Sequence, residues 1–564
     1  MVKPWLAHYP EGVPEFISPM EYDSLADFFE QKVKQFGDKP AFSNMGASLS
    51  YTELEEHSRN FASYLQALDL QPKTRIAIKL PNTLQYPIVL LGVIRAGMIA
   101  VNTNPLYTGR ELLHQLDDSG ARVIIVLDHF IDVFQAIQTE TKVKHTIVTS
   151  LGDMLPWPKS TLTNFVVKHI KKLVPPYDYQ QTTRFNEALN IGKQLSFTPP
   201  VLNHDDTAFL QYTGGTTGLS KGAMLSHGNM LSNMQQVDLW ITHGSPPETT
   251  LHAGEEIVIT ALPLYHIFAL TANFFCFIDL GAENILITNP RDMPGFVKIL
   301  QGLKFSCITG VNTLFDGLIH TPGFDQIDFS SLKLSIAGGM ATRKSLAHSW
   351  KELTGSTLIE SYGLTESSPA VTINPLDIEE FSGSIGQPLP STECEIRDKK
   401  GRVLAIGETG ELYIRGPQVM QGFWKQPEDT ANEISPDGWL KTGDIVRMDE
   451  RGMLYLVDRE KDMILVSGFN VYPNEVEAVV SHHPGVMECG AIGIPDPNSG
   501  EAIKVYVVKK NLTLDKETLI KYCRLNLTGY KIPKFIEFTD ALPKTNVGKI
   551  LRRELKNLSE EKAS

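Results

Sequence analysis

A chain of 564 residues exceeds what one hydrophobic core usually serves, so two or more domains are expected. Hydrophobic residues at 42% and charged residues at 21% are ordinary for a folded globular protein and exclude a disordered or collagen-like chain. The formal net charge of −13 argues against broad electrostatic capture of nucleic acid, so no nucleic-acid partner is expected.

The N-terminal stretch MVKPWLAHYPEGVPEF has no apolar core of signal-peptide length. The five cysteines (Cys276, Cys307, Cys394, Cys489, Cys523) lack CxxC or zinc-finger spacing, which fits a reducing cytosol. The first third alternates strands and helices. Arg75–Leu80 reads as a buried strand, 82–96 as a helix stopped at Gly97, and Met98–Val101 as a strand. Thr108 and Glu111 make a capping box for a helix ending at Gly120, and 121–128 is again a strand. This order implies a parallel sheet covered by helices.

Pro156–Leu173 spaces Trp157, Leu162, Phe165, Val166, Ile170 and Leu173 helically, with Lys168, Lys171 and Lys172 between them. Such a helix packs on its own domain, the expectation held here, or lies in a bilayer interface. Thr207–Tyr212 is strand-like and runs into TGGTTGLSKG. The glycines let backbone N–H groups converge on an anion, and Thr213, Thr216, Thr217 and Lys221 add hydroxyls and charge suited to a polyphosphate. Leu219 and Ser220 stand between Gly218 and the lysine, so the spacing is not that of a P-loop kinase. The loop is expected between a strand and a helix. Ala261–Leu280, interrupted by Pro263, His266, Asn273 and Asp279, reads as a buried strand–helix rather than a membrane span.

Further on, 337–339 (AGG) supplies small residues for close approach to a flat base. ESYGLTESSP offers an aromatic ring (Tyr362), a hydroxyl (Thr365) and a carboxylate (Glu366) within five positions, a set able to serve adenine, an α-phosphate and Mg²⁺. DGWLKTGD holds Asp444, a carboxylate able to accept both ribose hydroxyls. The charged run DREKD follows an apolar strand, and about 100 residues with their own pattern lie beyond it, as a hinge before a separate α+β unit would give. PKTNVGKILRR places Lys549 on a glycine-preceded turn.

YTGGTTGLSKGAMLSH, together with YGLTE, WLKTGD and the late lysine, resembles the acyl-adenylate-forming (AMP-binding) superfamily. The resemblance covers roughly residues 20 to 556. PLYHIFALTANFF, TGVNTLF, DMILVSGFNVYPNEVE and LTGYKIPK are similar to its bacterial long-chain fatty acid CoA ligases. Lys441 stands where those ligases often have histidine.

The resemblance implies an α/β fold: a large N-terminal domain of parallel-rich sheets with packed helices plus a small mobile α+β C-terminal domain. The expected division is 1–457, a hinge at 458–462 turning about Lys461, and 463–564. The implied activity is ATP-dependent ligation of a long-chain fatty acid to CoA through acyl-AMP, on a cytoplasmic enzyme that uses ATP, Mg²⁺ and CoA. Peripheral contact with the inner face of a membrane and a homodimer are left open. The alternatives are another adenylate-former (a medium-chain or aryl acid CoA ligase, or an acyl-AMP ligase) or a non-catalytic fatty-acid-binding protein.

By the same resemblance, Lys549, Thr365, Glu366, Lys221 and His266 are catalytic. The nucleotide and CoA contacts are Thr213, Gly214, Gly215, Thr216, Thr217, Gly218, Lys221, Gly338, Gly339, Tyr362, Gly363, Thr365, Asp444, Arg459 and Gly468. Glu366 binds the metal, and His266, Val311, Asn312, Gly338 and Gly363 meet the acyl substrate.

Overall fold

Two largely parallel sheets build the large N-terminal domain of the computed structural model, which describes residues 3–561 except 214–219, 468, 498 and 546–547. In the first sheet, six parallel strands lie in the order Leu358–Gly363, Leu334–Ala337, Cys307–Gly310, Ile257–Thr260, Glu283–Leu286, Pro40–Asn44. Antiparallel strands complete both edges, Ala370–Ile373 with Gln387–Pro388 on one side and Ala47–Ser50 on the other.

The second sheet runs Thr183–Arg184, His145–Thr149, Val123–Leu127, Arg75–Lys79, Ile99–Asn102, Thr207–Tyr212, Gly222–Ser226, parallel except for its last pair. Val123–Leu127 and Ile99–Asn102 are buried at every position, the signature of a parallel sheet covered on both faces. The Thr108–Glu111 capping box is present: the Thr108 hydroxyl accepts from the Glu111 amide, and the Glu111 carboxylate accepts from the Thr108 amide at 2.8 Å. The helix Gly109–Ser119 then ends on Gly120 at φ 64°, a left-handed conformation that glycine adopts without strain.

A four-stranded antiparallel sheet (Glu393–Arg397, Thr409–Arg415, Leu440–Met448, Leu454–Arg459) packs Ile396, Leu412, Leu440 and Leu454 into the same core as the parallel sheets. The smaller C-terminal domain has its own five-stranded sheet, including Ile464–Val466, Val486–Asp496 and Gly500–Lys509, and helices Pro473–Ser481 and Lys516–Asn526. Its apolar side chains form separate clusters around Ile464, Val505 and Leu519 and around Ile492 and Leu555.

Two expectations need correction. The Gly/Thr loop joins two antiparallel strands, Thr207–Tyr212 and Gly222–Ser226, and the helix His227–His243 begins only after the second. In 261–280 there is no strand: strand Ile257–Thr260 ends before it, and buried helical turns Ala269–Phe275 and Cys276–Asp279 follow. The first of these is a π-helix, a wider turn that often marks a functional site. Among the described residues, no helix is long and apolar enough to cross a membrane.

Candidate active site

Ligands of parallel α/β sheets bind beyond the carboxyl ends of the strands, and here a cavity of about 660 Å³ lies there. Four neighbouring strands feed it. Ile257–Thr260 leads to Leu262 and His266, Cys307–Gly310 to Val311, Leu334–Ala337 to Gly338 and Gly339, and Leu358–Gly363 to Thr365 and Glu366.

Apolar side chains form one part of the lining, its apolar arm: Val237, Ile336 and Ile373, which share a cluster with Phe268, together with Ile267 and Ala272. The rest carries Thr213, Lys221, Arg459 and Lys549. Two glycines allow close approach, tightly at Gly338 and without alternative at Gly363. A Cβ on Gly338 would lie 2.9 Å from the Phe268 ring and 3.0 Å from Ser361 Oγ, and one on Gly363 would lie 2.1 Å from the Pro369 carbonyl oxygen.

Tyr362 donates its hydroxyl to Asp444 at 2.6 Å, and Arg459 Nε stands 2.9 Å from the other Asp444 oxygen. Strand pairing sets this contact, because Asp444 and Arg459 are register partners on adjacent strands. Asp444 is 1% exposed and touches the cavity through Tyr362 and Arg459 rather than forming its wall. Burial and the Asp444 charge push the Tyr362 phenol well up. Burial opposes the Arg459 charge, and Asp444 more than restores it, so the guanidinium is held above its ordinary value.

Burial, with Glu433 and Asp444 nearby, raises the Glu366 carboxyl. Lys221 pairs with Asp429 at 2.7 Å and lies 5.0 Å from the Phe423 ring centre. His266 is pushed down to about 4 by burial and by Lys549, so its ring is neutral near pH 7, and its Nδ1 accepts from the Phe268 amide at 3.3 Å.

Lys549 reaches the cavity from the C-terminal domain. Gly548, at φ 84°, permits this: a Cβ there would lie 2.3 Å from Thr313 Oγ1 on the large domain.

Thus Thr213, Lys221, His266, Val311, Gly338, Gly339, Tyr362, Gly363, Thr365, Glu366, Arg459 and Lys549 gather around one cavity. Asn312 does not line it; its amide donates instead to the Ala341 carbonyl, because it starts the helix Asn312–Ile319 and faces the neighbouring loop. Gly214, Gly215, Thr216, Thr217, Gly218 and Gly468 lie outside the described residues, as does the Lys461 side chain. Sequence reasoning missed Ala272, Val237 and Ile336, whose apolar spacing reads as plain core, and also missed Asp429, the partner of Lys221. Glu360, two residues before Tyr362 on the same strand, does not line the cavity; its buried carboxylate accepts from the Thr342 amide at 3.1 Å and is raised to about 7 by burial.

Residues 29–424 match the family model described as AMP-binding enzyme, and residues 475–549 match the AMP-binding enzyme C-terminal domain. The long-chain-fatty-acid–CoA ligase of Escherichia coli O157:H7 is 55% identical, over 99% of this chain and 98% of that protein. The ligase of the same description from Haemophilus influenzae is 51% identical over the same shares of the two chains. Among solved structures, ATP-bound MatB from Rhodopseudomonas palustris superposes with a TM-score of 0.81 at 26% identity, covering 96% of this chain and 100% of that one.

Proposed function

The chain belongs to the AMP-binding enzyme family, and from that premise we propose that it is a long-chain-fatty-acid–CoA ligase, an acid–thiol ligase that uses ATP and CoA with Mg²⁺. The observation that supports the fatty-acid part is that one cavity is lined both by an apolar set, including Val237, Ala272 and Ile336, and by Lys221, Glu366, Arg459 and Lys549. Each CH₂ buried in such an arm contributes about 0.8 kcal/mol, so a long chain is favoured over a short one.

In the first half-reaction a carboxylate oxygen attacks the α-phosphorus of ATP. The bond to the β-phosphate bridging oxygen breaks, and pyrophosphate leaves. In the second, the CoA thiol gives up its proton to solvent, its sulfur attacks the acyl carbonyl carbon, the carbonyl–phosphate oxygen bond breaks, and AMP leaves. Lys221 and the Gly/Thr loop (Thr213, Gly214, Gly215, Thr216, Thr217, Gly218) hold the phosphates. Tyr362 stacks on adenine beside Gly338 and Gly339, and Asp444 and Arg459 take the ribose. Lys549 meets the charge developing during adenylation, where a fixed cation is worth more than in water. His266, neutral at pH 7, walls the acyl carboxyl rather than pairing with it.

Glu366 and the Thr213 and Thr365 hydroxyls fit a Mg²⁺ ion. They are all oxygen donors, and the half-buried carboxylate lies near the acids Glu433 and Asp444. When bound, that ion neutralises phosphate charge.

We assign residues 1–457 to the adenylation domain, 458–462 to a hinge and 463–564 to a mobile domain. Its rotation about Lys461 withdraws Lys549 and brings Gly468 to the CoA path. The proposal extends to a cytoplasmic enzyme attached peripherally to a membrane, in which such acids dissolve. A homodimer is compatible with it and is read by light scattering. The deciding assay is acyl-CoA formation with saturated acids from short to long chains, alongside ATP–pyrophosphate exchange. Long acids should give the highest kcat/KM; turnover confined to short or aryl acids overturns the assignment.

A further inference from the structure

The helix Lys159–Phe165 and the wider turn Val166–Ile170 that continues it bury no residue. A surface helix of a water-soluble domain normally turns its apolar stripe inward. This one is mounted the other way. Its polar residues make the attachments: Asn164 accepts from the Gly152 amide at 2.7 Å and donates to Asp153 at 3.0 Å, and Lys159 donates to the Met45 carbonyl. The large apolar residues face outward instead, with Trp157 84%, Leu162 63%, Phe165 54% and Ile170 64% exposed, while Val166 and Val167 are half-buried.

The charge of the segment is equally distinct. Residues 154–177 contain Lys159, Lys168, Lys171 and Lys172 and no aspartate or glutamate, in a chain whose net charge is −13. We propose that Trp157–Leu173 is a docking surface for an anionic lipid bilayer. Its apolar side chains enter the headgroup boundary while the lysines meet lipid phosphates, the geometry of an interfacial amphipathic helix. The purpose of this docking rests on the fatty-acid reading, since it brings the enzyme to the phase that holds its substrate; its chemistry does not.

The test is sedimentation of the full-length chain with vesicles of phosphatidylcholine, with and without phosphatidylglycerol. Wild type should bind the phosphatidylglycerol vesicles preferentially. L162S/F165S/I170S should lower that binding at least tenfold, and K171Q/K172Q should erase the preference for anionic lipid. Both variants should keep the wild-type melting temperature and the ligase rate on detergent-dispersed acid. Undiminished binding by the triple variant overturns the proposal, as does equal binding of wild type to both vesicle types. A wild-type dimer that the triple variant converts to monomer also overturns it, assigning the patch to a second copy. Absence of ligase activity in wild type overturns the proposed function and leaves vesicle binding standing.

Discussion

The Arg552 guanidinium lies 3.4 Å from the carboxylate of Asp458, joining the C-terminal helix Arg552–Glu561 to the last strand of the four-stranded sheet. The same guanidinium reaches Asp462 at 3.0 Å and Glu477 at 2.9 Å. Asp458 also accepts from the Asn474 amide at 2.7 Å. These bonds therefore close over 458–462, the segment assigned as the hinge, and rotation about Lys461 has to break those made by Asp458.

Burial raises the Asp458 carboxyl to about 6 even with Arg552 beside it. Removing one partner of a buried pair costs about 3–5 kcal/mol, because the other charge is left uncompensated. Arg552→Ala should therefore loosen the docked C-terminal domain. ATP–pyrophosphate exchange should fall, while thioester formation from supplied acyl-AMP persists. The part of the deficit owed to Asp458 should shrink as pH falls through about 6, where that carboxyl becomes neutral, and grow above it. An equal deficit at pH 5.5 and pH 8 would show that Asp458 is not the partner that matters.

Gly548, which lies against Thr313 of the large domain, makes a second link between the domains beside Lys549. Lys549→Ala should reduce adenylation by about a hundredfold or more, the scale of a lost oxyanion-type contact, and spare the CoA step. Gly548→Ala should copy that selectivity without removing the lysine, because its Cβ would press on Thr313 at 2.3 Å. Stopped-flow pyrophosphate release separates the two steps, and equal loss in both contradicts the role given to Lys549.

How much of this is legible in the sequence depends on how local each signal is. The Thr108–Glu111 capping box, strand Thr207–Tyr212 and the separate C-terminal α+β unit are set by neighbouring residues, and all three are present in the fold. The strand Gly222–Ser226 is harder to read, because glycine and threonine mark a phosphate turn without fixing whether a strand or a helix leaves it. The motif around Asn312 points to the acyl site, yet a helix start turns its amide to Ala341. The apolar arm of the cavity lining is the least legible part. Val237, Ala272 and Ile336 come from three distant elements, and nothing in an apolar side chain's own neighbourhood separates a cavity wall from a filled core.

That arm gives a specificity prediction. Ala272 lies on the π-helical turn and faces the cavity. Ala272→Phe fills the arm without removing any charged group. It should lower kcat/KM for long acids at least tenfold while leaving shorter ones nearly unchanged, because each excluded CH₂ forfeits about 0.8 kcal/mol. A uniform loss across chain lengths would place the alkyl chain elsewhere.

Glu360 offers a pH signature. Its folded value of about 7 lies above the ordinary 4.5, and burial is the cause. The folded protein therefore binds the proton more tightly than the unfolded chain, so the neutral carboxyl is favoured in the fold. That advantage is fully present below about pH 4.5 and is lost as pH rises through 7. Glu360→Gln keeps an oxygen acceptor for the Thr342 amide and carries no charge. The variant should match wild type near pH 4 and exceed it in stability at pH 8, by up to about 3 kcal/mol for a shift of this size. Thermal melts at both pH values decide it: a variant less stable than wild type at pH 8 would mean that the carboxylate form is the one the fold prefers.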